Sequence, residues 1–303
     1  MSPAALTVGV MPKSTGNPYF EDCHRGAVEA AQELGFTLQW DGPPEADAAR
    51  QARVVERWAQ EGLPAIAVSV ESPAPLTPAL KNARSRGVKV LTWDADAEPD
   101  ARDFTVVQAT PEAIAHALSF EVGRITGGTG AIAAITSTLS APNQKAWIAE
   151  FRARLSREHP GLDLVEVRPC DDLEENARRE TLKLLEAHPQ LKAIAGFCSP
   201  AVPGAAEAVK QLRRRDLHIT GVSLPSLCRG YIEQGVVDSV VFWKTRDLGY
   251  LAAASAHALA TGALEPGAVF LRAGRLGNMI VRGDQIRLGR CHIVTKGNLD
   301  SFQ

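Results

Sequence analysis

The 303-residue sequence contains no apolar run long enough to cross a bilayer, which excludes a membrane-spanning helix within it. An excess of one charge sign is also lacking: the net charge is -2, so the chain has no overall attraction to nucleic acid or anionic lipid. Cysteines are few and scattered, without CxxC spacing, at Cys23, Cys170, Cys198, Cys228 and Cys291. Neither a zinc site nor a disulfide framework is indicated, and the odd number leaves at least one thiol outside any intrachain pair.

Common catalytic motifs are missing as well. Neither G-x-S-x-G nor H-E-x-x-H occurs, and His24 points to a different helix face from its neighbour Cys23. The glycine-rich residues 127–130 precede a strand, which reverses the order that a phosphate-binding loop requires. Arginines at 213–215 end a predicted helix, where their charge complements the helix dipole. The sequence therefore predicts neither an enzyme, nor a cofactor, nor a nucleic-acid interface.

Apolar, β-rich segments alternate with segments of helical periodicity along the whole chain. This alternation predicts an α/β fold with parallel sheets and right-handed crossover helices. One series of strands and helices ends near residue 107, and a similar series restarts at Pro111. No stretch rich in Pro, Gly or Ser separates the two series, so we expect two lobes joined by strands and not two domains on a flexible linker.

Residues 88–96 give the clearest indication of a binding site. Val88, Val90 and Leu91 predict a buried strand, which ends in Trp93, Asp94 and a second carboxylate one residue further on. Ligands of open α/β sheets bind beyond the carboxyl ends of strands, so Asp94 is expected at a ligand. Its carboxylate can accept hydrogen bonds from two hydroxyls of a polyol, and Trp93 offers an apolar face. The alternative is a loop aspartate that caps the next helix or faces solvent.

Other candidate residues follow predicted strands in the same way. Lys13 follows the first strand and could donate to a ligand oxygen, or it could simply be solvated. Tyr19 and Phe20 could pack on a sugar ring or form a hydrophobic staple at the start of the helix. Asn143 and Gln144 are expected in the loop after a strand of the second series, where their amides suit hydroxyl ligands or cap a helix.

Taken together, the chain resembles the periplasmic sugar-binding proteins of ABC importers, of the type I (ribose-type) class. Within that class it is most similar to the branch that contains autoinducer-2-binding and rhamnose-binding proteins. The fairly specific motif is Thr92-Trp93-Asp94-Ala95-Asp96. Further segments that carry the resemblance are Met11-Pro12-Lys13, Asp41-Gly42-Pro43, Asn143-Gln144 with Trp147, Pro203 with Ala205 and Ala206, and Tyr231-Ile232-Glu233-Gln234-Gly235.

The resemblance implies two Rossmann-like lobes joined by a three-segment hinge, with the ligand in the cleft between them. It assigns residues 1–108 and 243–272 to the N-terminal lobe, and residues 109–242 and 273–303 to the C-terminal lobe. The ligand contacts that it implies are Lys13, Phe20, Asp94, Asn143, Gln144, Pro203, Ala205 and Trp243. The resemblance further implies a small neutral sugar or polyol and the importer permease as partners, a periplasmic monomer, and an export signal removed from the chain.

The sequence departs from the autoinducer branch at two positions. That branch has aspartates where this chain has Asn143 and Lys244, and a neutral amide favours an ordinary deoxysugar, pentose or polyol. One rival interpretation is the effector-binding domain of a sugar-responsive transcriptional regulator, which shares the fold but needs a helix-turn-helix before the first strand. A second rival, an enzyme acting on a sugar or nucleotide, needs an acid–base pair that the sequence does not offer.

Overall fold

The computed structural model describes residues 6–302. Residues 1–5, on which the expectation of a missing export signal rests, and residue 303 lie outside the described residues. The described chain divides into two compact units, each assembled from separate segments. The first unit comprises residues 6–109, 140–142 and 244–289, and the second comprises residues 110–139, 143–243 and 290–302.

Strands and helices alternate through most of the chain, as the sequence predicts. In chain order they are β1 (Thr7–Met11), α1 (Pro18–Leu34), β2 (Thr37–Trp40), α2 (Ala48–Glu61), β3 (Ala65–Val68), α3 (Pro73–Ser85), β4 (Lys89–Trp93), β5 (Phe104–Val107), α4 (Pro111–Thr126), β6 (Thr129–Thr136), α5 (Pro142–Glu158), β7 (Gly161–Pro169), α6 (Glu174–Ala187), β8 (Ala193–Gly196), α7 (Ala201–Leu212), β9 (His218–Val222), α8 (Pro225–Glu233), β10 (Ser239–Phe242), α9 (Thr245–Thr261), β11 (Phe270–Arg272), β12 (Asn278–Arg282), β13 (Gln285–Arg287) and β14 (His292–Thr295).

The five parallel strands at the core of each sheet have the same order in the two units, although the first sheet has eight strands and the second has six. The first has the order β11-β12-β13-β5-β4-β3-β1-β2, and the second has the order β14-β10-β9-β8-β6-β7. Strands β1 to β5 are parallel in the first sheet, and β6 to β10 are parallel in the second. Strand order therefore reverses between β1 and β3 in one unit and between β6 and β8 in the other, which is where doubly wound sheets bind ligands.

Local signals in the sequence fix where the helices of the first unit begin and end. Helix α1 begins after Asn17, whose side chain accepts a hydrogen bond from the Tyr19 amide, and ends at Gly35 with a φ of 75°. Asp47 caps α2 by accepting from the Arg50 amide. Burial of α2 and α3 against the sheet forms an apolar core around Trp58, which has no exposed surface.

Several boundaries differ from the sequence prediction. Helix α5 begins at Pro142, so Asn143 and Gln144 lie in its first turn and not in the preceding loop. Pro203 likewise lies in the first turn of α7, which begins at Ala201. Proline is favoured in a first helical turn because its missing N–H has no intrahelical acceptor there. Residues 273–289, assigned by resemblance to the second lobe, belong to the first unit, since β13 pairs in parallel with β5. Trp243, assigned by resemblance to the first lobe, belongs to the second unit. Among the described residues, no helix is both long and apolar enough to span a membrane.

Candidate functional site

The first unit brings polar side chains together at the carboxyl ends of its central strands. Lys13 follows β1, Ser69 follows β3 and Asp94 follows β4, while Tyr19 lies in the first turn of α1. We call Lys13, Tyr19, Ser69 and Asp94 the Asp94 cluster. It lies at the point of the first sheet where strand order reverses, in agreement with the predicted positions of Lys13 and Asp94.

Asp94 is the centre of this cluster. Its Oδ1 accepts a 2.9 Å hydrogen bond from the Tyr19 hydroxyl, and its Oδ2 accepts a 2.8 Å bond from the Ser69 hydroxyl. A carboxylate offers about four lone-pair positions, so about two more donors can bind. The backbone of Asp94 is left-handed, with a φ of 61°, a strained conformation that is often found at binding sites.

The charge of Asp94 is held in a nearly dry environment. The residue is only 8% exposed, and Lys13 is only 2% exposed. Burial raises the pKa of the Asp94 carboxyl, whereas the charge of Lys13 and the hydrogen bonds from Ser69 and Tyr19 oppose that rise. A ligand that donates hydroxyls to Asp94 would act in the same direction as these three groups and would stabilise the carboxylate.

Gln51, in α2, ties together the loops that carry the cluster. Its Nε2 donates to the carbonyl oxygens of Pro12 and Ser69, each at 2.8 Å, and its Oε1 accepts from the Glu71 amide at 3.0 Å. The side chain has no exposed surface. Gln51 therefore fixes the loop after β1 to the loop after β3, which sets the spacing of Lys13 and Ser69.

Aromatic rings pack behind the cluster. Phe20 is 3% exposed and makes edge-on contacts with Tyr19 and Trp93, with ring centroids 4.9 and 5.7 Å apart. Trp93 has no exposed surface, and its indole N–H donates to the Met11 carbonyl oxygen at 3.1 Å. The prediction that Trp93 offers an open apolar face is wrong, because its ring is a buried support for the strand ends.

The second carboxylate of the motif has a structural role. Asp96 is bound by both Nε and Nη2 of Arg102, each at 2.7 Å, and Arg102 also donates to Asp284 at 2.6 Å. Since Arg102 is 5% exposed, this network connects the end of β4 to the turn between β12 and β13 inside the first unit. The two aspartates of the motif therefore differ in role: Asp94 is the centre of the Asp94 cluster, whereas Asp96 forms a structural ion pair with Arg102.

In the second unit, polar groups meet at the equivalent strand end. Gln144 Oε1 accepts hydrogen bonds from the Thr136 hydroxyl, and from the amide and hydroxyl of Ser137, the last two at 2.7 Å. We call Thr136, Ser137 and Gln144 the Gln144 cluster. Three donors use the amide oxygen, so Nε2 is the group of Gln144 that can donate to a ligand. Gln144 is 5% exposed, and Ser137 directly follows β6.

The remaining predicted contacts also lie in the second unit. Asn143 adjoins the Gln144 cluster, and its Oδ1 accepts from the Gln144 amide at 2.9 Å. Pro203 and Ala205 lie in the first turns of α7, and Ala205 belongs to the apolar core. Trp243 is 2% exposed and contacts Trp147, with ring centroids 5.8 Å apart.

Other charged clusters lie apart from these sites. In the part of the chain that the structure describes, no group of three or more His, Cys, Asp and Glu residues could hold a metal ion. Arg213 ends α7 and, with Lys210, Arg214 and Arg215, lines an open depression of about 710 Å³ at that helix end. Arg214 is paired there with Asp216, in agreement with the predicted solvated helix end.

Several residues of the two clusters were not identified from the sequence as parts of the site. The sequence does not predict a ligand role for Ser69, Ser137 or Gln51, and it predicts only an aromatic surface for Tyr19. Ser69 and Ser137 immediately follow strands, so their position could have identified them. Gln51 gave no such signal, because it lies in a helix and its bonding partners are distant backbone groups.

Comparison with known proteins places the chain in a family. The sequence model described as "Periplasmic binding protein domain" matches residues 8–264, and the chain belongs to this family of substrate-binding proteins. Similar solved structures include LsrB from Clostridium saccharobutylicum in complex with AI-2. It is 25% identical, with a TM-score of 0.91, over 98% of this chain and 99% of that one.

Two further structures are similar over the whole chain. A solute-binding protein from Clostridium phytofermentas with bound L-rhamnose is 25% identical, with a TM-score of 0.90, over 100% of this chain and 99% of that one. A solute-binding protein from Burkholderia graminis in complex with D-arabinose is 26% identical, with a TM-score of 0.85 and the same coverage. The predicted resemblance to the sugar-binding proteins of ABC importers is confirmed, as is the α/β fold class.

Proposed function

We propose that this protein captures a small neutral sugar or polyol in the periplasm and delivers it, as a monomer, to the permease of an ABC importer. The observation that carries the proposal is the buried Asp94 carboxylate, which still has acceptor positions after bonding Tyr19 and Ser69. The similar structures described above contain AI-2, L-rhamnose and D-arabinose, which are small and rich in oxygen.

Each unit offers predicted ligand contacts of its own. Asp94 accepts from ligand hydroxyls and Lys13 donates to a ligand oxygen, while Asn143 and Gln144 offer amides. The apolar contacts are Phe20, Pro203, Ala205 and Trp243. Hydrogen bonds to charged groups contribute about 1.5–3 kcal/mol each, so two or three of them plus ring packing can reach the about −8 kcal/mol of a micromolar complex.

The amide of Asn143 narrows the ligand class. The side chain is neutral, and its Oδ1 already accepts from the Gln144 amide. A neutral amide suits single sugar hydroxyls better than it suits a ligand group that needs several hydrogen-bond acceptors. We therefore expect deoxyhexoses or pentoses to bind more tightly than AI-2.

The test is a thermal-shift screen of the purified protein against pentoses, deoxyhexoses, alditols and AI-2, followed by calorimetry of each hit. Asp94→Ala should weaken the best ligand at least tenfold, because the ligand hydroxyls lose a charged acceptor. Asp100→Ala, at an exposed aspartate of the same unit, is the matched control and should bind normally. A screen without hits, or unchanged affinity in Asp94→Ala, would contradict the proposal.

A further inference from the structure

Two of the buried cysteines lie side by side in the second unit. The Sγ atoms of Cys170 and Cys198 are 3.5 Å apart, although 28 residues separate them in the sequence. Cys170 has no exposed surface, and Cys198 is 5% exposed. Two of the other cysteines have different surroundings: Cys23 is in the first unit, and Cys228 Sγ donates to the Ser223 hydroxyl.

The pair lies at the carboxyl ends of the strands that flank β6. Cys170 directly follows β7, and Cys198 follows β8 after one residue. Strand β6 lies between β7 and β8 in the sheet. The Cys170 amide donates to the carbonyl oxygens of Thr136 and Ser137, at 2.8 and 3.0 Å, and both of these residues belong to the Gln144 cluster.

The loop after Cys170 is strained and joins the same cluster. Asp171 and Asp172 have φ values of 53° and 56°, so two consecutive non-glycine residues are left-handed. The Asp171 amide donates to the Ser137 carbonyl oxygen at 2.7 Å. A covalent bond at Cys170 would therefore hold a strained loop against the residues that orient the Gln144 amide.

We propose that Cys170 and Cys198 form a disulfide that crosses the end of β6 and fixes the ligand-binding end of the second unit. The proposal rests on the proposed function, since a periplasmic location supplies the oxidising environment. Bond formation requires the two sulfur atoms to approach by about 1.5 Å, because a disulfide bond is about 2.05 Å long.

The reaction is thiol–disulfide exchange with a disulfide such as oxidised glutathione. The thiolate of one cysteine attacks the glutathione disulfide, which breaks its S–S bond and releases one glutathione thiol. The second thiolate then attacks the mixed disulfide, forms the Cys170–Cys198 bond and releases the second glutathione thiol. Two electrons pass to the oxidant, and the two thiol protons end on the two glutathione molecules.

Burial determines when this exchange occurs. Desolvation raises the pKa of the Cys198 thiol well above its ordinary value, so the folded protein holds little of the reactive thiolate. The exchange is therefore fastest while the chain folds, before the sulfur atoms are covered. Refolding in a redox buffer is for this reason the appropriate experiment.

The test refolds the full chain in a buffer of oxidised and reduced glutathione, and in a parallel sample with reductant only. Oxidised protein should retain three thiols titratable in denaturant, and peptide mapping should show Cys170 linked to Cys198. It should also melt about 5 °C or more above the reduced protein, since the cross-link closes a long loop. Five titratable thiols, or a link between other cysteines, would overturn the proposal.

Variants separate this link from a general effect of oxidant. Cys170→Ser and Cys198→Ser should each abolish the difference in melting temperature, whereas Cys228→Ser, at another buried cysteine, should keep it. Equal melting temperatures of oxidised and reduced wild-type protein would contradict the stabilising role. Thiol counting needs no sugar, so a failed sugar screen with an intact link would refute only the proposed function, and five free thiols with normal sugar binding would refute only the link.

Discussion

The Tyr19 hydroxyl donates a 2.9 Å hydrogen bond to Oδ1 of Asp94, and the two residues are 75 positions apart in the sequence. This bond connects the first turn of α1 to the end of β4. It turns a lone carboxylate into an oriented acceptor, because Ser69 binds the other oxygen. The direction of the remaining lone pairs is thereby fixed before a ligand arrives.

Tyr19→Phe should test this orientation. The change removes only the hydroxyl, so the ring contact with Phe20 remains while Asp94 loses one donor. We expect sugar affinity, measured by calorimetry, to fall about fivefold to tenfold, as for the loss of about 1 kcal/mol or slightly more. Tyr231→Phe is the matched control, since its hydroxyl also donates to a carboxylate, that of Glu207. Equal losses in both variants would contradict a specific role of Tyr19.

On acidification, sugar binding should begin to weaken at a higher pH than it would if the acceptor were an aspartate with an ordinary pKa. Burial raises the pKa of Asp94 above the ordinary value of 3.8, so the carboxylate is protonated at a higher pH than an exposed one. As pH falls through this raised pKa, Asp94 loses its charge and part of its acceptor capacity, and affinity should fall with it. Calorimetry between pH 8 and pH 4 measures the trend, with steps of about half a unit. Asp94→Asn should bind weakly with little dependence on pH in this range, and a similar decline in this variant would assign the effect to another group.

The sequence alone was sufficient for the fold class and for the positions of Lys13 and Asp94. Both residues directly follow apolar, β-rich segments, and strand periodicity together with the rule for open α/β sheets places them at ligand-binding ends. The end of α1 at Gly35 and the N-cap of α2 at Asp47 also follow from local chemistry. These features depend on neighbours in the sequence, which explains why they could be predicted.

Features that depend on distant partners could not be predicted. The sequence favours a ligand surface at Trp93, because nothing local shows that its N–H reaches the Met11 carbonyl oxygen. The pairing of Asp96 with Arg102, and that of Cys170 with Cys198, likewise required the packed structure. The loop prediction for Gln144 fails for a different, local reason, because Pro142 is already the first residue of α5.

Gln51 should act as a positioning residue for the Asp94 cluster. Gln51→Ala removes bonds to two loop carbonyl oxygens and one amide that lie in the core, so these groups lose their partners. We expect the free energy of unfolding to fall by about 2–4 kcal/mol in urea titrations. Sugar affinity should also fall about tenfold, because Lys13 and Ser69 lose their fixed spacing.

The control for this variant lies in the same helix. Gln60→Ala changes an exposed glutamine of α2, and both stability and affinity should stay close to those of the wild type. A stable Gln51→Ala protein with normal affinity would show that the loops keep their spacing without the glutamine. Lower stability with unchanged affinity would limit Gln51 to a structural role.

The close packing of α1 against α9 should not tolerate the addition of a single methyl group at their contact. A Cβ at Gly249 would overlap the carbonyl oxygen of Cys23, and one at Gly26 would overlap that of Arg246. Backbone atoms cannot move aside as a flexible side chain can, so Gly249→Ala must separate the two helices. We expect a loss of more than about 2 kcal/mol in urea unfolding, and weaker sugar binding because α1 carries Tyr19.

At Gly230, the same change from glycine to alanine should have the opposite effect on stability. Gly230 lies within α8, and an added Cβ would have only the end of the Gln234 side chain nearby, at 3.9 Å. Alanine reduces the freedom of the unfolded chain, so this variant should be neutral or more stable by about 0.5–1 kcal/mol. If both alanine variants unfolded at the same urea concentration, the close approach of α1 and α9 would not be what makes glycine necessary at position 249.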